Sequence, residues 1–167
     1  MNGFRKWVLL LSFSALVSGV AGELSVKPDQ LEARYRAKVG MKDGSIWIRT
    51  DTAEWDSGLR INPPKGKKFD FSNAKYLAVD VENCSKDRQL RMTMHITSGK
   101  RGNKSSSHVD LPHREVNTGI GLNPGEKRTM RIYLPHASLF TAPEGGRNFR
   151  NPLDTARINS IEFKMQW

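Results

Sequence analysis

The side chains that could carry acid–base, nucleophilic or metal chemistry are four histidines, one cysteine and 17 carboxylates. His108 and His113 lie five residues apart in a polar stretch, and the further ligands that a zinc site needs are not evident nearby. Cys84 has no neighbouring histidine that would activate its thiol, which favours a partly buried structural role over a nucleophile. These residue types therefore predict no metal and no cofactor.

The motifs that mark common catalytic sites are absent from the sequence. There is no Gly-x-Ser-x-Gly elbow, Cys-x-x-Cys pair, His-Glu-x-x-His helix or glycine-rich phosphate loop. Glycoside hydrolysis needs two carboxylates about 5–9 Å apart, and sequence alone singles out no such pair. The acids best interpreted as turn and strand-surface residues are Asp70, Asp80, Glu82 and Asp110. The sequence thus predicts a binding protein rather than an enzyme.

The chain is strongly basic, with 27 basic and 17 acidic residues and a net charge of +10. This charge favours an anionic partner such as a polysaccharide, and ordinary solubility is the alternative. The basic residues are not interleaved with aromatic side chains as a nucleic-acid platform requires, so no nucleic acid is predicted. Trp47 and Trp55 are the candidates for stacking on a sugar ring, and structural packing is an equal alternative for each.

The elements that would position the candidate residues are β-strands. Apolar and polar residues alternate with period two in four stretches of the chain. Period two with apolar residues on one face is typical of a half-buried strand. Several such strands joined by polar turns favour an all-β fold, an antiparallel β-sandwich or barrel. The four stretches are Tyr76–Val81, Leu90–Ile96, Met130–Leu134 and Ile161–Trp167.

Shorter segments complete the predicted elements. They are an edge strand at Leu24–Val26, a short helix over Gln30–Val39, and strands at Ser45–Thr50, Gly58–Ile61 and Asn117–Leu122. A tight polar turn at 84–88 predicts that the strands on either side of it form a hairpin. Pro124 and Gly125 stand where a type II turn over 123–126 needs proline and glycine.

The connections between the predicted strands should fall at two ends of the fold, because antiparallel strands alternate in direction. The turns 84–88 and 123–126 are expected at one end, and the loops 62–74, 98–116 and 135–157 at the other. Long loops that converge at one end of a β fold commonly form its binding surface. The basic residues expected there are Lys65, Lys67, Lys68, Lys100, Arg101, Lys104, Arg114, Arg147 and Arg150.

The first 22 residues have the features of a cleavable leader. Arg5 and Lys6 precede an apolar run, Trp7–Val17, that is shorter than the roughly 20 residues of a membrane span. Ala21 and Gly22 suit signal-peptidase cleavage, and an uncleaved anchor is the alternative. The predicted organisation is a signal peptide over 1–22, an amino-terminal edge segment over 23–44 and one β domain over 45–167. The protein is then secreted or periplasmic, without a membrane span after cleavage.

Three parts of the chain resemble the galactose-binding-like β-sandwiches of carbohydrate-active enzymes. They are Phe69–Ser72 with Tyr76–Asn83, Leu122–Thr129 with the strand to Leu134, and Arg157–Phe163. Over 45–167 the chain is similar to the non-catalytic module that precedes the barrel in β-agarases of glycoside hydrolase family 50. The resemblance implies a jelly-roll β-sandwich of the galactose-binding-like type.

In the resembled family the two catalytic carboxylates belong to a (β/α)₈ barrel that follows the module. Since this sequence ends at Trp167, we expect a non-catalytic module that binds a polysaccharide, an agar-type or sulfated galactan. The alternative is a structural module that docks to a glycoside hydrolase barrel and binds no sugar itself. The candidate carbohydrate-binding residues are Trp47, Trp55, Lys100, Arg101, Asn103, His113, Arg147 and Arg150.

Overall fold

The computed structural model describes residues 9–17, 20–22, 24–50, 57–98, 114–134 and 153–166, and for 9–17, 20–22 and 114–116 it describes the backbone alone. Within these ranges the chain forms eleven strands and a short 3₁₀ helix, Pro28–Gln30. The strands are β1 (Leu9–Val17), β2 (Val20–Gly22), β3 (Leu31–Arg34), β4 (Ala37–Lys42), β5 (Ser45–Thr50), β6 (Gly58–Ile61), β7 (Ala74–Asn83), β8 (Leu90–Ser98), β9 (Arg114–Leu122), β10 (Lys127–Tyr133) and β11 (Ile158–Gln166).

The described strands form two sheets in which every pairing is antiparallel. The six-stranded sheet has the order β10-β7-β1-β5-β4, with β2 paired to β1. The five-stranded sheet has the order β3-β6-β11-β8-β9. The prediction of an all-β antiparallel fold is therefore confirmed for the described part of the chain.

The two sheets share one apolar core, because strands of both sheets bury side chains in the same cluster. In β8, Met92, Met94 and Ile96 are fully buried, while the residues between them are half-buried. In β7, Leu77 and Val79 contribute from the opposite sheet to the same apolar cluster. The predicted alternation thus corresponds to burial on one face of each sheet. Strands β5 and β6 have the bounds that the sequence predicted.

The connection over 84–89 joins the two sheets, so the predicted hairpin is wrong. β7 pairs with β1 and β10 in the six-stranded sheet, whereas β8 pairs with β9 and β11 in the five-stranded sheet. A short polar turn is compatible with a hairpin within a sheet and with an arch between sheets. The period-two pattern is the same in both cases, because in both each strand has one buried face.

Residues 31–42 form two edge strands, so the predicted helix over Gln30–Val39 is also wrong. β3 is an edge of the five-stranded sheet and β4 an edge of the six-stranded sheet. Between them Tyr35 has a φ of 53°, a left-handed conformation that interrupts a helix. Leu31, Tyr35 and Val39 recur every four residues, a spacing that imitates a helical face. Leu24–Val26, the predicted edge strand, lies outside the strands.

The predicted leader contains β1 and β2. In the full-length chain β1 lies between β7 and β5, and it pairs with β7 over nine residues. This differs from the expectation that the leader lies outside the fold, because its apolar run is also suited to a central strand. Removal of the leader stays a prediction. Among the described residues no helix has the length and apolar character that crossing a bilayer requires.

Candidate functional site

One end of the molecule, called the turn end below, carries the turns 84–89 and 123–126. Asn83, at the end of β7, joins the two turns. Its Nδ2 donates to the carbonyl oxygens of Arg88 at 2.8 Å and of Leu122 and Asn123 at 3.1 Å each. Asn83 is buried, and the Leu122 carbonyl to which it donates is buried with it. The predicted grouping of these two turns at one end is confirmed.

The turn over 123–126 has the predicted type II character. The N–H of Glu126 donates to the carbonyl of Asn123 at 3.0 Å, which closes the turn. Gly125, the third residue of the turn, has a φ of 73°, as this turn type requires. The proline and glycine in the sequence therefore predicted the local backbone correctly.

The opposite end, called the loop end below, consists in the described part of residues 62–73 and 153–157 and the end of β8. Phe69 exchanges two backbone hydrogen bonds with Ile158, at 3.1 and 3.0 Å. The N–H of Asp154 donates to Ser98 Oγ at 2.9 Å. Portions of all three long predicted loops thus meet at one end, as the alternation of strand direction predicted. The remainder of 98–116 and 135–157 lies outside the described residues.

The described loop end carries more positive than negative charge. The 3₁₀ helix Pro28–Gln30 belongs to this end, because Gln30 Nε2 donates to the Asn62 carbonyl at 2.8 Å. Counted with Pro28–Gln30 and the flanking residues Lys27 and Lys75, this end has six exposed basic side chains and three acidic side chains, a net charge of +3. The basic residues are Lys27, Lys65, Lys67, Lys68, Lys75 and Arg157, and the acidic residues are Asp29, Asp70 and Asp154.

Asp70 is the acid that the structure fixes most closely in the loop at 62–73. Its Oδ1 accepts from Ser72 Oγ at 2.6 Å and from the Ser72 N–H at 2.9 Å. The side-chain hydrogen bond, followed by the backbone hydrogen bond, lowers the pKa of Asp70. Asp70 is therefore a turn residue, as predicted, and it lies among lysines as a negative charge at neutral pH.

Two tyrosines near the loop end form an aromatic pair that the sequence did not reveal. Tyr76 of β7 and Tyr133 of β10 are register partners, and their ring centroids lie 5.0 Å apart. Both rings are half-buried, and Lys75 Nζ lies 6.0 Å from the Tyr76 centroid. The pairing of β7 with β10 brings the two rings together over a sequence separation that local patterns do not bridge. An aromatic surface therefore adjoins the basic loop end.

Trp47 lies on the outer face of the six-stranded sheet but not at the loop end. A Cβ added at Gly40 of β4 would lie 2.6 Å from Trp47 Cζ2, so the indole packs directly over this glycine. β1 connects Trp47 in register with Glu82, eight residues along β7 from Ala74. At about 3.3 Å per residue, Trp47 is roughly 26 Å from the loop end along the strands. The structure therefore separates Trp47 from the basic loops.

The other predicted binding residues lie outside the described part of the chain. They are Trp55, Lys100, Arg101, Asn103, His113, Arg147 and Arg150. Asp110, which we interpreted as a surface acid, also lies outside it. Their roles stay predictions.

A row of polar residues crosses the outer face of the five-stranded sheet. The strand registers align them as Glu32, Arg60, Glu162, His95 and Asn117. His95 is half-buried on this face. The row was not predicted, because the sequence does not show which strands are neighbours.

Arg60 connects the two carboxylates of this row. Its Nε donates to Glu162 Oε1 at 2.8 Å, its Nη2 lies 2.7 Å from the same oxygen, and its Nη1 lies 3.4 Å from Glu32 Oε2. Burial alone would raise the pKa of Glu32, but hydrogen bonds from Asn62 and Arg34 and the charges of Arg60 and Arg34 lower it below its ordinary value. A general acid needs a raised pKa, so Glu32 is not tuned for that role. The network has the character of a structural ion-pair cluster.

Cys84 and Asp80, which could also carry chemistry, make contacts that are typical of structural residues. Cys84 is half-buried beside Glu82, with its Sγ 3.9 Å from Glu82 Oε1, as expected for a structural thiol. Asp80 accepts a hydrogen bond of 2.6 Å from Thr129 Oγ1 on the sheet surface. Within the described ranges, no group of three or more histidine, cysteine, aspartate or glutamate side chains could hold a metal ion.

Comparison with protein-family models, with curated proteins and with solved structures found no match to this chain.

Proposed function

We propose that this protein is an exported, non-catalytic module that binds a polysaccharide, an agar-type or sulfated galactan, through its loop end. The observation that carries the proposal is the meeting of three connections at one end, where exposed basic side chains outnumber acidic ones. Long loops on a rigid sheet scaffold are a common location for binding residues. The resemblance to the accessory module of family 50 β-agarases indicates the class of ligand, and we propose a jelly-roll sandwich of that type.

Two features at or near the loop end support a ligand of this class. Lys65, Lys67 and Lys68 are exposed on one loop and would attract the sulfate or carboxylate groups of an anionic chain. Tyr76 and Tyr133 present an amphipathic aromatic pair near the same end, which suits contact with a sugar ring. The candidates Lys100, Arg101, Asn103, His113, Arg147 and Arg150 lie outside the described residues, and their contribution stays a prediction.

Affinity gel electrophoresis tests the proposal. The purified protein is run through native gels that contain agarose, porphyran or carrageenan at low salt. We expect retardation that is strongest in the sulfated polymers and that weakens as salt screens the charges. Normal migration in all three gels at low salt would refute polysaccharide binding of this class.

A charge-matched pair of variants locates the surface. The triple variant Lys65→Ala/Lys67→Ala/Lys68→Ala should lose most of the retardation by the sulfated gels, because it removes three charges from the loop end. The control, Lys86→Ala/Arg91→Ala/Lys127→Ala, removes three exposed charges at or near the turn end. An equal loss in both variants would show that net charge, and not the loop end, causes the retardation.

A further inference from the structure

The six-stranded sheet contains a slot that an antiparallel strand fits. β1 pairs antiparallel with β7 through Leu9–Val17 and with β5 through Leu9–Leu11, so β5 and β7 run parallel to each other. The other edge of β5 is paired with β4, and the other edge of β7 with β10. The slot therefore extends along β7 and part of β5, and its two walls are held by the rest of the sheet.

The slot opens onto the hydrophobic core, because the side chains of β5 and β7 beside it are buried there. Val79 and Val81 of β7 and Ile46 and Ile48 of β5 are each at most 1% exposed, and all four are register partners of β1. Without β1, the backbone groups of β5 and β7 that face it would also lose their hydrogen-bond partners. An empty slot would thus combine apolar surface with unpaired N–H and C=O groups, which is the surface that a further strand recognises.

Closure of the slot by its own walls is disfavoured. Neighbouring strands lie about 4.8 Å apart, so β5 and β7 lie roughly twice that distance from each other. To pair directly they would have to shift by one strand spacing and form a parallel pair, the less stable arrangement. The shift would also displace side chains of both strands from the core that they share with the five-stranded sheet.

We infer that, once the leader is removed, this slot accepts an extended segment of a partner polypeptide. The inference rests on the leader removal that the proposed function includes. The segment that occupies the slot in the full-length chain shows what fits: nine residues antiparallel to β7, with the sequence Leu-Leu-Leu-Ser-Phe-Ser-Ala-Leu-Val. Main-chain hydrogen bonds give affinity in such strand addition, and alternate side chains give specificity. The slot is therefore a docking site for a strand with an apolar residue at every second position.

A nicked full-length chain tests the slot without requiring the shortened chain to fold by itself. A specific protease site inserted after Gly22 allows the leader to be cut once the whole protein has folded. A fluorescent peptide of residues 9–17, with a lysine tail for solubility, is then added in excess. We expect the peptide to replace the leader with one-to-one stoichiometry and to keep the β7 amides as protected from hydrogen exchange as in the uncut chain.

The control is the same peptide with Ser12→Pro and Phe13→Pro, which removes two adjacent N–H donors and should bind at least tenfold more weakly. Equal binding of both peptides would overturn the inference, because it would indicate unspecific apolar adhesion. So would full β7 protection in a nicked chain that has lost its leader and takes up no peptide, because the slot would then be closed by the chain itself.

Amino-terminal sequencing of the exported protein separates this inference from the proposed function. An amino terminus at Met1 would refute leader removal and with it the open slot, whereas gel retardation would still report sugar binding. Failure of a nicked chain that has lost its leader to take up the peptide would refute the slot alone.

Discussion

Arg60 shows how a single residue on the sheet surface can fix the pairing of distant strands. It lies in β6 and contacts Glu162 of β11 and Glu32 of β3, so its guanidinium spans three strands of one sheet. The side chain of Glu162 is only 11% exposed, and that of Arg60 is 21% exposed. Such a pair contributes little net stability by itself, but removal of one partner leaves a buried charge without compensation.

Replacement of Arg60 alone should therefore be costly. We expect Arg60→Met to reduce the free energy of unfolding by about 3 kcal/mol, since it leaves the Glu162 carboxylate unpaired. The double variant Arg60→Met/Glu162→Met should recover most of this loss, because it removes both charges and retains similar volume. Urea denaturation of the wild type, both single variants and the double variant gives the coupling energy. A loss of less than about 0.5 kcal/mol for Arg60→Met would show that solvent screens the pair as it does on an open surface.

Glu32 gives a pH dependence whose sign follows from its environment. Its folded-state pKa is lowered, so its contribution to stability is present above the unfolded-state pKa and is lost as the pH falls through the folded-state pKa. The side chain is 43% exposed, so the effect should be less than about 1 kcal/mol. We expect the stability of Glu32→Gln to fall less than that of the wild type between about pH 6 and about pH 3.

The measurement is urea denaturation at a series of pH values. Asp29→Asn, which changes an exposed carboxylate near the same sheet edge, serves as the control and should follow the wild-type curve. A steeper fall in Glu32→Gln than in the wild type would contradict the sign of the pKa shift.

At the scale of elements, the sequence predicted the positions of strands more accurately than it predicted which strands pair with each other. The bounds of β5 and β6 were correct, since apolar alternation and turn residues are local signals. The hairpin between β7 and β8 was wrong, because the arch between sheets and the hairpin share the same alternation. The prediction of a helix at Gln30–Val39 was wrong, because apolar residues recur there every four positions as on a helical face. The tertiary structure instead forms two short edge strands in this region.

The contact between β6 and β11 depends on a glycine at its end. A Cβ added at Gly58 would overlap the carbonyl oxygen of Phe163 in the neighbouring strand. We expect Gly58→Ala to lower the free energy of unfolding by about 1–3 kcal/mol, because the strands must separate to admit the methyl group. Thermal and urea denaturation measure this loss.

Gly121→Ala in β9 is the matched control for that substitution. The nearest group to its added Cβ is Gln89 Nε2 at 3.8 Å, an ordinary contact distance. Gly121→Ala should therefore leave stability unchanged or raise it slightly. Equal losses in the two variants would mean that the close approach of β6 to β11 does not decide the effect.

At the scale of the whole molecule, Asn83 links connections that pass between the sheets. The turn 84–89 leads from β7 to β8, and the turn 123–126 leads from β9 to β10, each crossing from one sheet to the other. The Asn83 amide donates to backbone carbonyls in or beside both turns, and one of these acceptors, the Leu122 carbonyl, is buried with it. The side chain thus holds the two sheets together at the turn end.

Loss of this amide should destabilise the entire fold. We expect Asn83→Ala to cost about 2 kcal/mol of unfolding free energy, because it removes the donor to the buried Leu122 carbonyl and the acceptor of the Ser85 N–H. The exposed control Lys86→Ala, in the same turn, should change stability by no more than about 0.5 kcal/mol. A similar small change in Asn83→Ala, measured by urea denaturation, would mean that water replaces the amide.

The sequence by itself determined the strands from Ser45 onward, the type II turn and the assignment of connections to two ends. These follow from local rules, namely the alternation of side chains along a strand and the reversal of direction between antiparallel strands. It also indicated the positive charge of the loop end, because the basic residues stand in the connections that strand alternation assigns to that end.

Only the tertiary structure decided which strands are neighbours and which side chains meet. Alternation shows that a strand has one buried face, but it carries no information about the strand beside it. The contact of Arg60 with Glu162 across 102 residues, the pairing of Tyr76 with Tyr133 and the distance of Trp47 from the loop end all follow from strand order. The slot filled by β1 has the same origin, since it exists only where β5 and β7 flank the same antiparallel strand.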